Sequence, residues 1–194
     1  MVNLAANFSM LFPDRPLLDR IDPAAAAGFK AIECVAPYDV PEQAIPERLH
    51  KCGIRSVLFN MPMGDFTAGE RGMAANPARR EAFAQSIDLT LRYTSATDTP
   101  TVHLMAGKIP ADADRALWTA TLIDNVRRAA DTLGPHGVTI ALEPVNTRVD
   151  NPGYFYGTSR EAIEIIDAVQ RDNVKLQYDI YHMQIMEGDL ARAI

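Results

Sequence analysis

The chain has 194 residues, 47% of them hydrophobic and 23% charged, which allows one sizeable core and argues against wholesale disorder. A net charge of −6 and a pI near 5.2 argue against a nucleic-acid backbone as the main partner, because that calls for a basic face. No apolar run approaches the roughly 20 residues that span a bilayer, and Met1 to Asn7 lacks the basic-then-apolar order of a signal peptide. Two isolated cysteines, Cys34 and Cys52, make neither a disulfide framework nor a zinc knuckle and read as small core hydrophobes, so a cytoplasmic setting is expected.

Short apolar runs alternate with stretches of helical period along the whole chain. The first run, 3–8, is followed by Leu17, Ile21, Ala24 and Gly28 on one helical stripe. Run 31–36 leads to a shorter stripe of Ile45, Leu49 and Cys52. Run 56–61 opens into a long, glycine-bearing loop, and Asn76-Pro77 then reads as an N-cap with a first-turn proline. Run 101–106 precedes Trp118, Leu122, Val126, Ala129 and Leu133, spaced by four, four, three and four. Run 138–145 is nearly continuous in apolar residues, as suits a parallel strand covered on both faces. The capping box Thr158-Ser159-Arg160-Glu161 starts a helix carrying Ala162, Ile165, Ile166 and Val169. Run 174–180 is the sixth strand. Gly28, Gly53 and Gly134 stand where helices should stop, and the segment from Gly188 to Ile194 reads as the middle of a sixth helix.

Six βα units with right-handed crossovers leave two architectures, an open doubly wound sheet or a closed (β/α)8 TIM-type barrel. A dinucleotide-binding sheet should carry a glycine-rich turn after its first strand, but Asn7-Phe8-Ser9-Met10-Leu11-Phe12 has no glycine. The expectation is a single barrel domain over 1–194 with about six of eight units present, incomplete at the C-terminus. Its first and sixth strands would be open edges, which predicts self-association, and a possible homo-oligomer follows.

In such a barrel the chemistry gathers at the C-terminal ends of the strands. The polar residues there are Asn7, Glu33, Asn60, His103, Glu143, Asn146, Asp179 and His182, with Asp65, Glu70 and Arg71 in the long third loop. Glu143 ends an apolar strand before Pro144, where a carboxylate binds a cation, holds a raised pKa suited to proton transfer, or forms a structural ion pair. Asp179, in an otherwise strand-like run, calls for a metal partner or caps the following helix, and the two roles can coexist. His103 and His182 are candidate metal ligands, proton carriers or substrate hydrogen-bonders. Glu33 either orients a substrate hydroxyl or pairs with Lys30 or Arg55. Arg71, between Gly69 and Gly72, either offers its fork to a carboxylate or is a solvated loop arginine.

Several segments together resemble hydroxypyruvate isomerases of the xylose-isomerase-like barrel superfamily. They are Ala5-Ala6-Asn7-Phe8-Ser9-Met10-Leu11-Phe12, Pro37-Tyr38-Asp39, the loop from Gly64 through Gly69-Glu70-Arg71-Gly72, Glu143-Pro144-Val145-Asn146, and Gln177-Tyr178-Asp179-Ile180-Tyr181-His182-Met183-Gln184. The resemblance implies interconversion of hydroxypyruvate with 2-hydroxy-3-oxopropanoate (tartronate semialdehyde). It places an acid/base glutamate at Glu143 and a metal-binding aspartate at Asp179. The family pattern continues through a seventh strand with further metal-site residues and an eighth with a second acid/base glutamate, neither of which is in this sequence.

Moving a carbonyl between adjacent carbons passes through an enediolate, and oxygen ligands suit Mg²⁺ or Mn²⁺ to hold its charge. The expected partner is therefore a small anionic oxo-acid. Glu143 would bind the cation or move the proton, Asp179 would fix the cation, and Arg71, His103, His182 or Asn60 would contact the substrate. A 2-oxo-tetronate isomerase or a related epimerase is the nearest rival. A non-catalytic barrel fragment is the rival of another class.

Overall fold

The computed structural model describes residues 3–194. Its strands are β1 (Ala5–Asn7), β2 (Ala31–Cys34), β3 (Arg55–Asn60), β4 (Thr101–His103), β5 (Thr139–Leu142) and β6 (Val174–Leu176). Each overlaps one of the six apolar runs. All neighbours pair in parallel, in the order of the sequence from β1 to β6. A doubly wound sheet reverses its strand order at a switch point, whereas a barrel wall does not. The unbroken order is that of a (β/α)8 wall, with β1 and β6 each paired on one side only.

The helices are α1 (Ile21–Ala26), α2 (Ala44–Cys52), α3 (Arg80–Thr97), α4 (Arg115–Leu133), α5 (Ser159–Val169), α6 (Ile180–Met186) and α7 (Leu190–Ala193). Their buried faces follow the sequence stripes. Ile21 and Ala24, Ile45 and Leu49, then Leu122, Val126, Ala129 and Leu133, and finally Ala162, Ile165 and Val169 all pack inward. They cover a sheet whose own core includes Ile32, Phe59, Val102, Ile140, Leu142 and Val174. Cys34 belongs to that core, while Cys52 is half-buried with its Sγ 2.8 Å from Asp22 Oδ1. The caps form as read: Asn76 accepts from the Ala78 N–H at 2.9 Å, and Thr158 and Glu161 make a reciprocal capping box.

Several local expectations are corrected. α4 does stop at Gly134, its C-cap, but without the left-handed φ such a glycine usually takes, and a 3-10 turn carries the chain on to Gly137 (φ 76°). The segment 188–194 is not the middle of a helix. Gly188 and Asp189 both take left-handed φ, so α6 ends and the short α7 starts anew. The strands also end earlier than the apolar runs do. β5 stops at Leu142 and β6 at Leu176, so Glu143 and Asp179 both lie past the strand ends.

Two features of the wall aim the site. Between β2 and β3 the register slips, with Ile32 opposite Ser56 but Glu33 opposite Leu58, and such a bulge re-aims the residues beside it. Above β3, β4 and β5 the following loops are laced by a second tier of backbone contacts, Gly72 with Ala106 and Lys108 with Tyr154. The backbones touch there. A Cβ on Gly72 would lie 2.3 Å from the Met105 carbonyl oxygen, and one on Gly107 would lie 2.5 Å from the Gly72 carbonyl oxygen. Both residues also hold positive φ, so only glycine fits.

Candidate active site

Glu143 follows the last residue of β5 and is buried, at 7% exposure. Its Oε2 lies 3.2 Å from His103 Nδ1, at the end of β4. Burial, then the neighbouring charge of Asp179, pushes its carboxyl up to about 8. Asp179 lies beyond β6, not within it as the apolar run suggested. It is the N-cap of α6, where Oδ1 accepts the Tyr181 N–H at 2.7 Å and the His182 N–H at 3.2 Å. Cap and cluster coexist. The ligand atoms offered by Glu143, Asp179 and His182 all lie within 4.8 Å of one another.

Further buried polar groups accompany this cluster. Burial pushes His103 down to about 4, so its imidazole is neutral at pH 7, and its Nε2 is buried without a partner. Glu33 makes no ion pair with Lys30 or Arg55 among the described residues. It is raised by burial and by Asp179, and opposed by a hydrogen bond from Asn7, its register partner on β1. Gln177 Oε1 and the Tyr156 hydroxyl are also buried without partners. Asn146, named above without a role, is fully buried and lies 2.8 Å from His182 Nδ1. Its position three residues past Glu143 was visible in the sequence. Its contact with His182 was not.

The other candidates are held by contacts of their own, although Asn60 is the register partner of His103. The Asn60 Nδ2 donates to the Met63 and Met105 sulfurs at 3.6 and 3.7 Å, and its backbone carbonyl accepts from Tyr38 at 2.8 Å. Arg71 does not hold a free fork between glycines. Its guanidinium carbon lies 3.7 Å from the Phe66 ring centroid, and Nη1 donates to the Phe66 and Glu70 carbonyls at 3.1 and 2.8 Å. Glu70 and Asp65 hold the loop itself. Glu70 Oε2 accepts from the Asp65 N–H and from Arg79, and Asp65 Oδ1 accepts from Thr67 and Ala68.

A profile of the xylose isomerase-like TIM barrel family matches residues 21–194. The chain belongs to that family. Among its relatives, a protein named 2-oxo-tetronate isomerase from Cupriavidus necator is 44% identical over 98% of this chain and 73% of its own length. The hydroxypyruvate isomerase of Escherichia coli K12 is 38% identical over 100% of this chain and 75% of its own length. A solved structure described as AP endonuclease, family 2, from Brucella melitensis superposes with a TM-score of 0.96 at 45% identity, covering 100% of this chain and 74% of that one. The chain thus spans about three quarters of these family members. Relatives named as isomerases, over nearly its whole length, support an isomerase function within the family.

Proposed function

We propose that the chain is an intramolecular aldose–ketose-type isomerase that interconverts hydroxypyruvate and 2-hydroxy-3-oxopropanoate by proton transfer between adjacent carbons. Glu143 carries this reading: a buried carboxyl raised to about 8, facing Asp179 and His182 and bonded to His103. The reaction needs one group to take a proton from carbon and return it next door, and such a group works best with a pKa near the working pH. His103, neutral and buried, holds the Glu143 carboxyl in place by the 3.2 Å contact. His182 and Arg71 are the groups for the substrate, with Arg71 drawn off Phe66 to meet its carboxylate.

The donor set fits a divalent cation. Glu143 and Glu33 are raised by burial first and by the charge of Asp179 after it, so a cation among these acids would relieve both. Oxygen donors of this kind suit Mg²⁺ or Mn²⁺, which Glu143 and Asp179 would hold. When bound, such an ion supplies positive charge for a developing enediolate.

The same proton chemistry serves a substrate one carbon longer, and relatives named 2-oxo-tetronate isomerase at 40–44% identity favour that as the second reading. Duplex DNA is disfavoured by the net charge of −6. The free Cys34 and Cys52 accord with a cytoplasmic setting, and no described helix is long and apolar enough to cross a membrane. The test compares kcat/KM on hydroxypyruvate and 2-oxo-tetronate with added Mg²⁺ or Mn²⁺. Glu143→Gln should lower turnover by about 10²–10⁴-fold with the fold intact. Near-normal turnover by that variant overturns the proposal, and a larger kcat/KM on the four-carbon acid selects the second reading.

A further inference from the structure

Asn146 makes four polar contacts that leave its amide one orientation. Oδ1 accepts the Val149 N–H at 3.1 Å and the Asp150 N–H at 3.0 Å. Nδ2 lies 2.6 Å from Asp150 Oδ2 and 2.8 Å from His182 Nδ1. Turning the amide over would set its NH₂ against two N–H donors and its oxygen against a carboxylate. The Asp150 carboxyl is held below its usual range by this amide first and by the Tyr181 hydroxyl second, so it stays an acceptor. Both Nδ2 hydrogens are therefore donated, one to Asp150 and one to His182.

The consequence falls on the imidazole. Nδ1 must accept with its lone pair, and a neutral histidine has one donor and one acceptor nitrogen. The hydrogen of His182 is then on Nε2. We propose that Asn146 is a positioning residue that fixes His182 as the Nε2–H tautomer, so that the ring has a hydrogen-bond donor for a substrate oxygen and no lone pair left for a metal ion. Of the three groups gathered within 4.8 Å, only the two carboxylates are left for a cation. Ligation through Nε2 would put the hydrogen on Nδ1, pointing at the Asn146 NH₂. The tautomer stands on these contacts alone, whereas its effect on turnover rests on the isomerase reading.

Long-range ¹H–¹⁵N spectra of the imidazoles in the labelled chain test the tautomer. With four histidines in the sequence, His182→Gln assigns the relevant signals. The wild type should show His182 protonated on Nε2 and bare at Nδ1. Asn146→Asp replaces the donating NH₂ with an oxygen, which should move the proton to Nδ1 and lower kcat by about 10–100-fold with little change in KM. A wild-type His182 protonated on Nδ1 overturns the proposal even if the variant fails to fold. A folded Asn146→Asp protein with an unmoved proton overturns it too, as does a moved proton with unchanged kcat. An inactive wild type that shows the Nε2–H tautomer overturns the isomerase reading and supports the assignment.

Discussion

Two acid-rich parts at the C-terminal ends of the strands carry opposite electrostatics. In the loop after β3, donors meet every carboxylate: Thr67 and Ala68 hold Asp65 below its usual range, and Arg79 pairs with Glu70 at 3.1 Å. Between β5 and α6, Glu143 is bonded to a neutral His103 but meets no cation among the described residues, and burial, then the repulsion of Asp179 and Glu33, pushes it up to about 8. A carboxylate whose lone pairs are filled by its own loop stabilises the loop. One that faces its own kind costs free energy until a cation or a proton arrives. Uncompensated convergence, and not acid density, separates the candidate site from a well-built loop.

Stability against pH gives the largest test of that contrast. Glu143 rises from an ordinary 4.5 to about 8 on folding, so its contribution is complete below 4.5 and is lost as pH climbs through 8. His103 falls from 6.5 to about 4, so its contribution is complete above 6.5 and is lost as pH drops through 4. From 6.5 to 8 the His103 contribution is complete, and urea unfolding should show stability declining there through Glu143, with the raised Glu33 acting in the same direction, on the order of a few kcal/mol in the absence of divalent ions. Glu143→Gln should flatten the decline, and an equally steep variant breaks the contrast.

A substitution in the loop should have the opposite sign. Glu70→Ala strands the Asp65 N–H and leaves Arg79 without its partner, and should destabilise by about 1–3 kcal/mol in the same unfolding assay. A neutral or stabilising result would place Glu70 with the site acids. The smallest effect expected is on Arg71. Arg71→Ala should raise KM for a carboxylate substrate by roughly tenfold while leaving dihydroxyacetone, which has no carboxylate, unaffected. Equal losses on both compounds would show that the guanidinium serves only to hold Phe66 and its loop.

Much of this was legible in the chain. The six apolar runs set the strands, the stripe from Trp118 to Leu133 set α4, and the Thr158–Glu161 box set the start of α5. Glu143 was found because an acid ending an apolar strand is a local signal. Hydrophobic period does not report φ, and so it carries no sign of the left-handed turn at Gly188 and Asp189 that follows α6. Nor did the sequence separate Arg71 as a free fork from Arg71 stacked on Phe66, since the same glycines allow both.

By itself the sequence determined the alternation of strand and helix and which residues stand at the strand ends, because hydrophobic period and capping act over a few neighbouring positions. Tertiary structure alone decided that Glu143 meets Asp179 and His182, that His103 lies under that carboxylate, and that Asn146 grips the imidazole. Those partners stand 36 to 40 residues apart along the chain. Only the packing of one βα unit against the next fixes how close their side chains come, and that closeness sets their charge.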